Sequence, residues 1–273
     1  MTVKKVHEHG FVRLVDTMPT EDLDEAIVQS ARVSYAGGTT ATRSSRGLIR
    51  YLMRHRHNTP FEMVEFKFHI KMPIFIARQH LRHRTASVNE LSARYSIVPD
   101  NFFEPDFYRR QSTTNKQGSD GKVELDEQLS EQPANLCRGA FLVYENLLDA
   151  GCCRELARCH LPQSTYTEFY WKINLHNLLH YLELRMEEGA QQEIQDYANA
   201  IYDLVKDKVP IVMEAFMDFR VNALTLTGPE IEAFKKINYT FIDFEKEDKK
   251  HLDSPGENRE FLEKLKRLGL KTE

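Results

Sequence analysis

Across residues 62–72 the side chains alternate, with Phe66, Phe68, Ile70 and Met72 on one face and Glu65, Lys67, His69 and Lys71 on the other. Successive side chains of a strand point to opposite sides, so this stretch predicts a half-buried strand. A weaker alternation predicts a second strand over Gly10–Met18. Pro73 suits the first position of a helix, where its missing N–H is no loss and its φ is already helical. The helix read from it, PIFIARQHLRHR, turns Ile74, Ala77 and Leu81 to a core. Arg78 and Arg82 are four apart on it, and Gln79 is three from Arg82 and four from His83, which crowds these groups on one side. Strand, proline and helix form a rigid mount for the polar groups that the helix carries at its end.

The mount leads into the most cationic stretch of the chain. Residues 78–96 read RQHLRHRTASVNELSARYS; between Arg78 and Arg94 there are four arginines, two histidines, no lysine and one acid, Glu90, in a chain of formal net charge -4. The planar guanidinium forks onto phosphate or carboxylate oxygens and stacks on flat rings, whereas lysine is a mobile point charge, so this choice favours oriented recognition. A merely solvated helix face would carry Glu and Lys at spacings of three and four. Here Ser87, Asn89, Glu90, Ser92 and Tyr95 interleave with the arginines instead. The pattern R-H-R-x-x-S-x-N-E-x-S-x-R-Y, formed by Arg82, His83, Arg84, Ser87, Asn89, Glu90, Ser92, Arg94 and Tyr95, resembles the signature of flavin-dependent thymidylate synthases.

Other segments carry the same resemblance. Pro19-Thr20 followed by Glu21 and Asp22 reads as a helix start, and the helix ends near Ala31-Arg32-Val33-Ser34, similar to a family segment whose serine contacts the flavin. A helix over 45–57 leads into His57-Asn58-Thr59-Pro60-Phe61-Glu62, similar to H-x-T-P-F-E. Arg154 to Pro162 resembles R-x-x-A-R-x-x-L-P, whose second arginine is Arg158. After the β-prone stretch 165–173, a helix over 174–185 carries Asn174, His176, His180 and Arg185; His176 stands where many members have arginine, and His80 replaces the aromatic residue usual in A-R-Q-W.

The resemblance covers roughly residues 10–220 and implies a single α+β domain, a mixed sheet flanked by helices, assembled as a homotetramer with sites built from more than one subunit. It implies reductive methylation of dUMP to dTMP, with methylenetetrahydrofolate as carbon donor, reduced FAD as hydride donor and NADPH as reductant. FAD contacts fall on Ser34, Thr59, Arg82, His83, Arg84, Glu90, Asn174, His176 and His180. Contacts to dUMP fall on Gln79, Arg82, Glu90, Ser92, Arg94, Arg158 and Arg185, with Arg185 the catalytic, substrate-activating residue. No enzymic cysteine is required.

The rest of the sequence narrows the alternatives. A basic cluster with the aromatic stretch 102–108 has the residue types for nucleic acid; the pI near 6.3 weighs against that partner. No apolar run approaches a membrane span and the N-terminus lacks a signal-peptide core, so a cytoplasmic location is expected. Cys137, Cys152, Cys153 and Cys159 form no C-x-x-C pair, which indicates neither zinc nor a disulfide framework, and Cys159 reads as a small buried residue. His55 and His57 are two apart, and His176-Asn177-x-x-His180 lacks the Glu of H-E-x-x-H, so no metal site is expected. No G-x-G-x-x-G occurs, so the nucleotides are not held on a Rossmann turn. Helices are expected over 133–150 and 187–206, and an exposed loop or lid over 111–122. The catalytic domain is placed at 1–224. A charged extension, 225–273, is read as short helices over 229–237 and 258–268 around the run 243–251.

Overall fold

The computed structural model describes residues 2–34, 44–113, 116–229, 231 and 264–265. The chain divides into compact units Met1–Asn222 and Ala223–Glu273. Apart from residues 229, 231, 264 and 265, the two helices expected in the second unit lie outside the described residues, as does the charged run.

In chain order the first unit contains β1 (Val3–Val6), β2 (Gly10–Met18), α1 (Leu23–Arg32), α2 (Ser45–Arg54), α3 (Thr59–Glu62), β3 (Glu65–Pro73), α4 (Ile74–His80), β4 (Ser87–Glu90), β5 (Arg109–Gln111) and β6 (Ser119–Lys122). It continues with α5 (Glu127–Asp149), α6 (Arg154–Ala157), β7 (Tyr166–Asn174), α7 (Leu175–Arg185), α8 (Gln192–Val205) and α9 (Pro210–Phe216). The α+β class is the one expected. Five strands form a sheet in the order β1-β2-β3-β7-β4. All its pairings are antiparallel, so the sheet is not mixed as expected. No helix among the described residues is long and apolar enough to cross a membrane.

β3 is the centre of the sheet because its alternation is real: Phe66, Phe68, Ile70 and Met72 are each 0% exposed. It pairs with β7 over nine residues without a register shift, which sets Phe66 opposite Ile173 and Phe68 opposite Trp171. Helices α7 and α8 close the core over that face with Leu178, Leu182, Ile194, Tyr197 and Ile201.

Several elements depart from expectation. The strand starts at Glu65, not residue 62, because Thr59–Glu62 closes one helical turn with Pro60 in its first turn and Phe61 buried. Pro73 ends β3 and caps α4, and α4 stops at His80 instead of continuing to residue 84. There the bonds shorten to three-residue turns, Arg82 N to Gln79 O at 3.3 Å and His83 N to His80 O at 3.1 Å, and the chain returns to lay β4 along β7. Arg82 and His83 therefore leave the helix face on which their spacing had put them. At both ends of the expected loop the chain is strand: Gln111 closes β5, and Ser119–Lys122 forms β6 paired on it. α5 begins six residues before Pro133, because the Asp126 side chain accepts from Leu129 N at 2.7 Å and caps the start. α8 begins at Gln192, later than the expected 187. Neither β1 nor α9, which runs into a wider π-type turn at Met217–Val221, was visible as a pattern. Cys159 is exposed, not buried, with its Sγ 3.6 Å from the Glu155 carbonyl.

His80 is 0% exposed. Its ring lies 4.3 Å from Trp171 and 4.8 Å from Tyr181, and its Nδ1 is 3.0 Å from the Tyr181 hydroxyl. The residue in the aromatic position of A-R-Q-W thus packs in the core. Its Nε2 has no partner among the described residues. Burial, then the charges of His83 and Arg185, lower its pKa from 6.5 to about 3. An unfolded chain takes up this proton below about 6.5 and the folded chain only near 3, so stability is lost as pH falls through that window. At pH 5 this group alone costs about 2 kcal/mol. His80→Phe removes that part of the pH dependence, while orphaning the Tyr181 hydroxyl lowers stability at neutral pH by about 1–3 kcal/mol. Urea denaturation of both proteins at pH 7 and 5 measures the two slopes, and equal slopes would refute the assignment.

Gly10 opens β2 where no side chain fits: a Cβ there would stand 2.1 Å from the Tyr197 hydroxyl and 2.5 Å from the Val6 carbonyl oxygen. Because Tyr197 also donates to the Lys71 carbonyl at 2.9 Å, it cannot swing away without losing that bond. Gly10→Ala is expected to destabilise by about 3 kcal/mol, the upper end for overpacking, read as a lowered urea midpoint with the slope unchanged.

Candidate functional site

β7 runs into α7 with no loop between them, since Asn174 is both the last residue of the strand and the cap of the helix. Its side-chain oxygen accepts from Asn177 N at 2.9 Å and from Asn177 Nδ2 at 2.8 Å. His176, His180 and Arg185 therefore sit on a helix tied directly to the sheet centre. His176 and His180 share one face and, with Asn58, Phe61, Glu183 and Arg220, line a cavity of about 230 Å³. Its rim is held by Arg220 Nη2, which donates to Glu183 Oε2 at 2.9 Å. The His176 pKa is lowered by burial, against an opposing pull from Glu62.

At the far end of α7, Arg185 Nε donates to His83 Nε2 at 3.0 Å. The acceptor nitrogen must be unprotonated, and the electrostatics agree: burial first, then Arg185 and His180, lower the His83 pKa to about 4. The His180 ring lies 5.9 Å and the Tyr181 ring 4.9 Å from that of His83. The turn after α4 thus brings His83 to α7, and the pair presents one guanidinium charge and one neutral imidazole.

The remaining arginines lie outside this pair. Among the described residues, no carboxylate meets Arg78, Arg82, Arg84 or Arg158. Unpaired guanidinium groups of this density repel one another and await an anion. Arg94 pairs with Glu155 at 3.2 Å, both exposed, so that bridge is worth little. Ser92 Oγ accepts from Arg94 N at 3.3 Å. Glu90, on edge strand β4, accepts from the buried Thr167 hydroxyl at 2.6 Å. Arg158 lies half-buried in a short turn after α6, on the segment that carries Glu155.

Of the residues expected from the sequence, His83, His180 and Arg185 come together, as do Ser92 and Arg94, and Glu90 is fixed by Thr167. Ser34 is exposed just after α1, and the residues beyond it in the chain lie outside the described ones. Thr59 is exposed and comes directly after Asn58, which lines the cavity. His55 and His57 both pack on the Tyr51 ring, at 4.3 and 5.7 Å. Gln79 was expected from the resemblance, but not its anchor: its Nε2 donates to Gln191 Oε1 at 2.5 Å, and Gln191 Nε2 donates to Glu193 Oε2 at 2.8 Å. Glu193 is 5% exposed and receives Arg109 Nη2 at 2.6 Å. The only local signal was an acid near a helix start, which reads as solvated; its partner lies on a distant hairpin. Phe216, Glu183 and Arg220 of the cavity were likewise missed, because only the fold brings α9 and its π-type turn against α7.

The family described as thymidylate synthase complementing protein matches residues 13–211. A flavin-dependent thymidylate synthase of Dictyostelium discoideum is 51% identical over 241 residues, covering 85% of this chain and 79% of its own. One from Thermus thermophilus is 51% identical over 230 residues, covering 84% of each chain. Among solved structures, the UMP/dUMP methylase PolB of Streptomyces cacaoi bound with 5-Br dUMP superposes with a TM-score of 0.71 at 35% identity, covering 80% of this chain and 99% of its own. Bound with 5-Br UMP, it superposes with a TM-score of 0.69. With half its residues shared along most of its length, the same fold and the arginine motif in place, the chain belongs to the flavin-dependent thymidylate synthase family.

Proposed function

We propose that the protein converts dUMP to dTMP by reductive methylation, taking the carbon from methylenetetrahydrofolate and the hydride from FAD reduced by NADPH. The observation that carries this reading is the Arg185 guanidinium, held by a neutral His83 beside arginines without counter-ions. In this reading Arg82, Arg94 and Arg158 take the phosphate of dUMP, with Ser92 as a further partner and Glu90 and Gln79 on the nucleoside. Arg185 stands against the imide of the pyrimidine. A fixed cation there stabilises the deprotonated ring and makes its carbon electron-rich without a thiol adduct. The fork stays charged at any working pH and spans the nitrogen and a flanking carbonyl, which an ammonium cannot do.

The donor set fits part of a flavin nucleotide: a cavity of about 230 Å³ with apolar walls and imidazole and amide edges, while the arginines of the motif offer charge for a diphosphate. Ser34, Thr59, Arg82, His83, Arg84, Glu90, Asn174, His176 and His180 would hold it. When bound, the flavin supplies the hydride that reduces the transferred carbon. His176, with its pKa lowered, is neutral at pH 7 and supplies hydrogen bonds or stacking, which leaves diphosphate charge to Arg82 and Arg84.

A homotetramer with shared sites belongs to the same reading. α5 also exposes Leu129, Leu136 and Val143, seven residues apart on one helix face, at 46%, 73% and 48%. An apolar face of that size suits burial against another subunit. Residues 1–224 would form the catalytic domain in a cytoplasmic enzyme without nucleic-acid or membrane partners, and 225–273 an appended extension.

The purified protein should show an oxidised-flavin absorption spectrum and form dTMP from dUMP only with folate and NADPH present. A colourless protein that does not take up added FAD would refute the proposal. Arg185→Lys should keep the fold and bound flavin, yet lose at least about a hundredfold in turnover, the scale seen when one oriented electrostatic contact is removed. Wild-type turnover in that variant would return Arg185 to a helix-end charge.

A further inference from the structure

A chain of side-chain hydrogen bonds runs from the arginine motif to the β5–β6 hairpin. Gln79 Nε2 donates to Gln191 Oε1 at 2.5 Å, Gln191 Nε2 donates to Glu193 Oε2 at 2.8 Å, and Arg109 Nη2 donates to Glu193 Oε1 and Oε2 at 2.6 and 2.9 Å. Arg109 Nε also donates to Ser119 Oγ at 2.9 Å, across the hairpin.

Carboxamides can usually sit either way round, because oxygen and NH₂ are nearly the same size. Glu193 removes that freedom. A buried carboxylate paired with a guanidinium only accepts, so the NH₂ of Gln191 must face it and the carbonyl of Gln191 must face Gln79. That in turn draws the NH₂ of Gln79 inward and leaves Gln79 Oε1 as the side-chain end with no partner among the described residues.

We propose that Glu193 is a positioning residue: through Gln191 it fixes the Gln79 amide so that its carbonyl oxygen, not its NH₂, faces the substrate. Gln79 then reads a donor on the nucleoside, a sugar hydroxyl, and the phosphate is left to the arginines. This rests on the reading that places Gln79 against dUMP. With a glutamine at position 193 the relay can run in either direction, and the Gln79 amide presents either end.

The experiment is a double-mutant cycle on the flavin-loaded enzyme, read by calorimetric titration with dUMP and by KM for dUMP and for folate. Gln79→Ala is expected to weaken dUMP about tenfold, the scale of one net hydrogen bond. Glu193→Gln should weaken dUMP several-fold alone and by less than about twofold on top of Gln79→Ala, with KM for folate unchanged. Equal weakening in both backgrounds would mean that Glu193 acts through the fold, and the relay would be overturned. No weakening in the wild-type background would overturn it too. A silent Gln79→Ala would refute the placement of Gln79 on dUMP, a failure distinct from that of the relay. Gln191 makes no capping bond at the start of α8, so Gln191→Leu cuts the same relay if Glu193→Gln does not fold, and it should give the same dUMP loss.

Discussion

The unbroken pairing of β3 with β7 is the constraint on which the rest depends. Nine opposed residues without a shift leave no freedom in register, and a slip of one would turn Phe66, Phe68, Ile70 and Met72 to solvent. Each strand then delivers part of the site from its end. β3 passes through Pro73 into α4, so Gln79, Arg82 and His83 are positioned from one side; β7 passes through Asn174 into α7, so His176, His180 and Arg185 arrive from the other. β4 lies along β7 and adds Glu90 at the sheet edge. A candidate site made this way inherits the stiffness of two central strands, although most of its groups are exposed.

Charge is distributed with similar economy. Two imidazoles face Arg185, and burial keeps both His80 and His83 unprotonated at neutral pH, their pKa values lowered to about 3 and about 4. Were either protonated, the guanidinium would face a second cation a few ångströms away in a poorly solvated place. The positive potential at this point of the molecule therefore belongs to Arg185 and to arginines open to solvent. Those open groups keep what a fixed counter-ion would have denied them, full attraction for an anion.

The elements with a strong period were legible because one physical cause dominated each. β2, β3, β7 and α7 stand where alternation or helical spacing put them, since burial on one face decides both. The arginine motif stood out as a candidate site because polar groups interleaved with guanidinium groups have no solvation purpose. Features settled by distant partners were not legible. Spacing alone put Arg82 and His83 on a helix, but pairing of β4 with β7 ends the helix at His80. Nothing local to Glu193 marks it as buried, because its partner is Arg109 of the hairpin. Cys159 looked small and core-like between two cations, and its place in a surface turn depends on how α6 packs. The sheet was expected to be mixed because the class was inferred without its pairings.

Trp171 is the only tryptophan in the chain and is fully shielded from water. It is paired with Phe68 on one side and Val88 on the other, and it touches the rings of His80 and Tyr181. Its fluorescence therefore comes from one place only, on β7 between β3 and β4. Emission should lie at the short-wavelength end for an indole and should dim when the neighbouring imidazole gains a proton, since imidazolium quenches indole. The protein thus carries an intrinsic optical probe in the layer beneath the candidate site, one that needs no label and answers to any movement of β4 or α7.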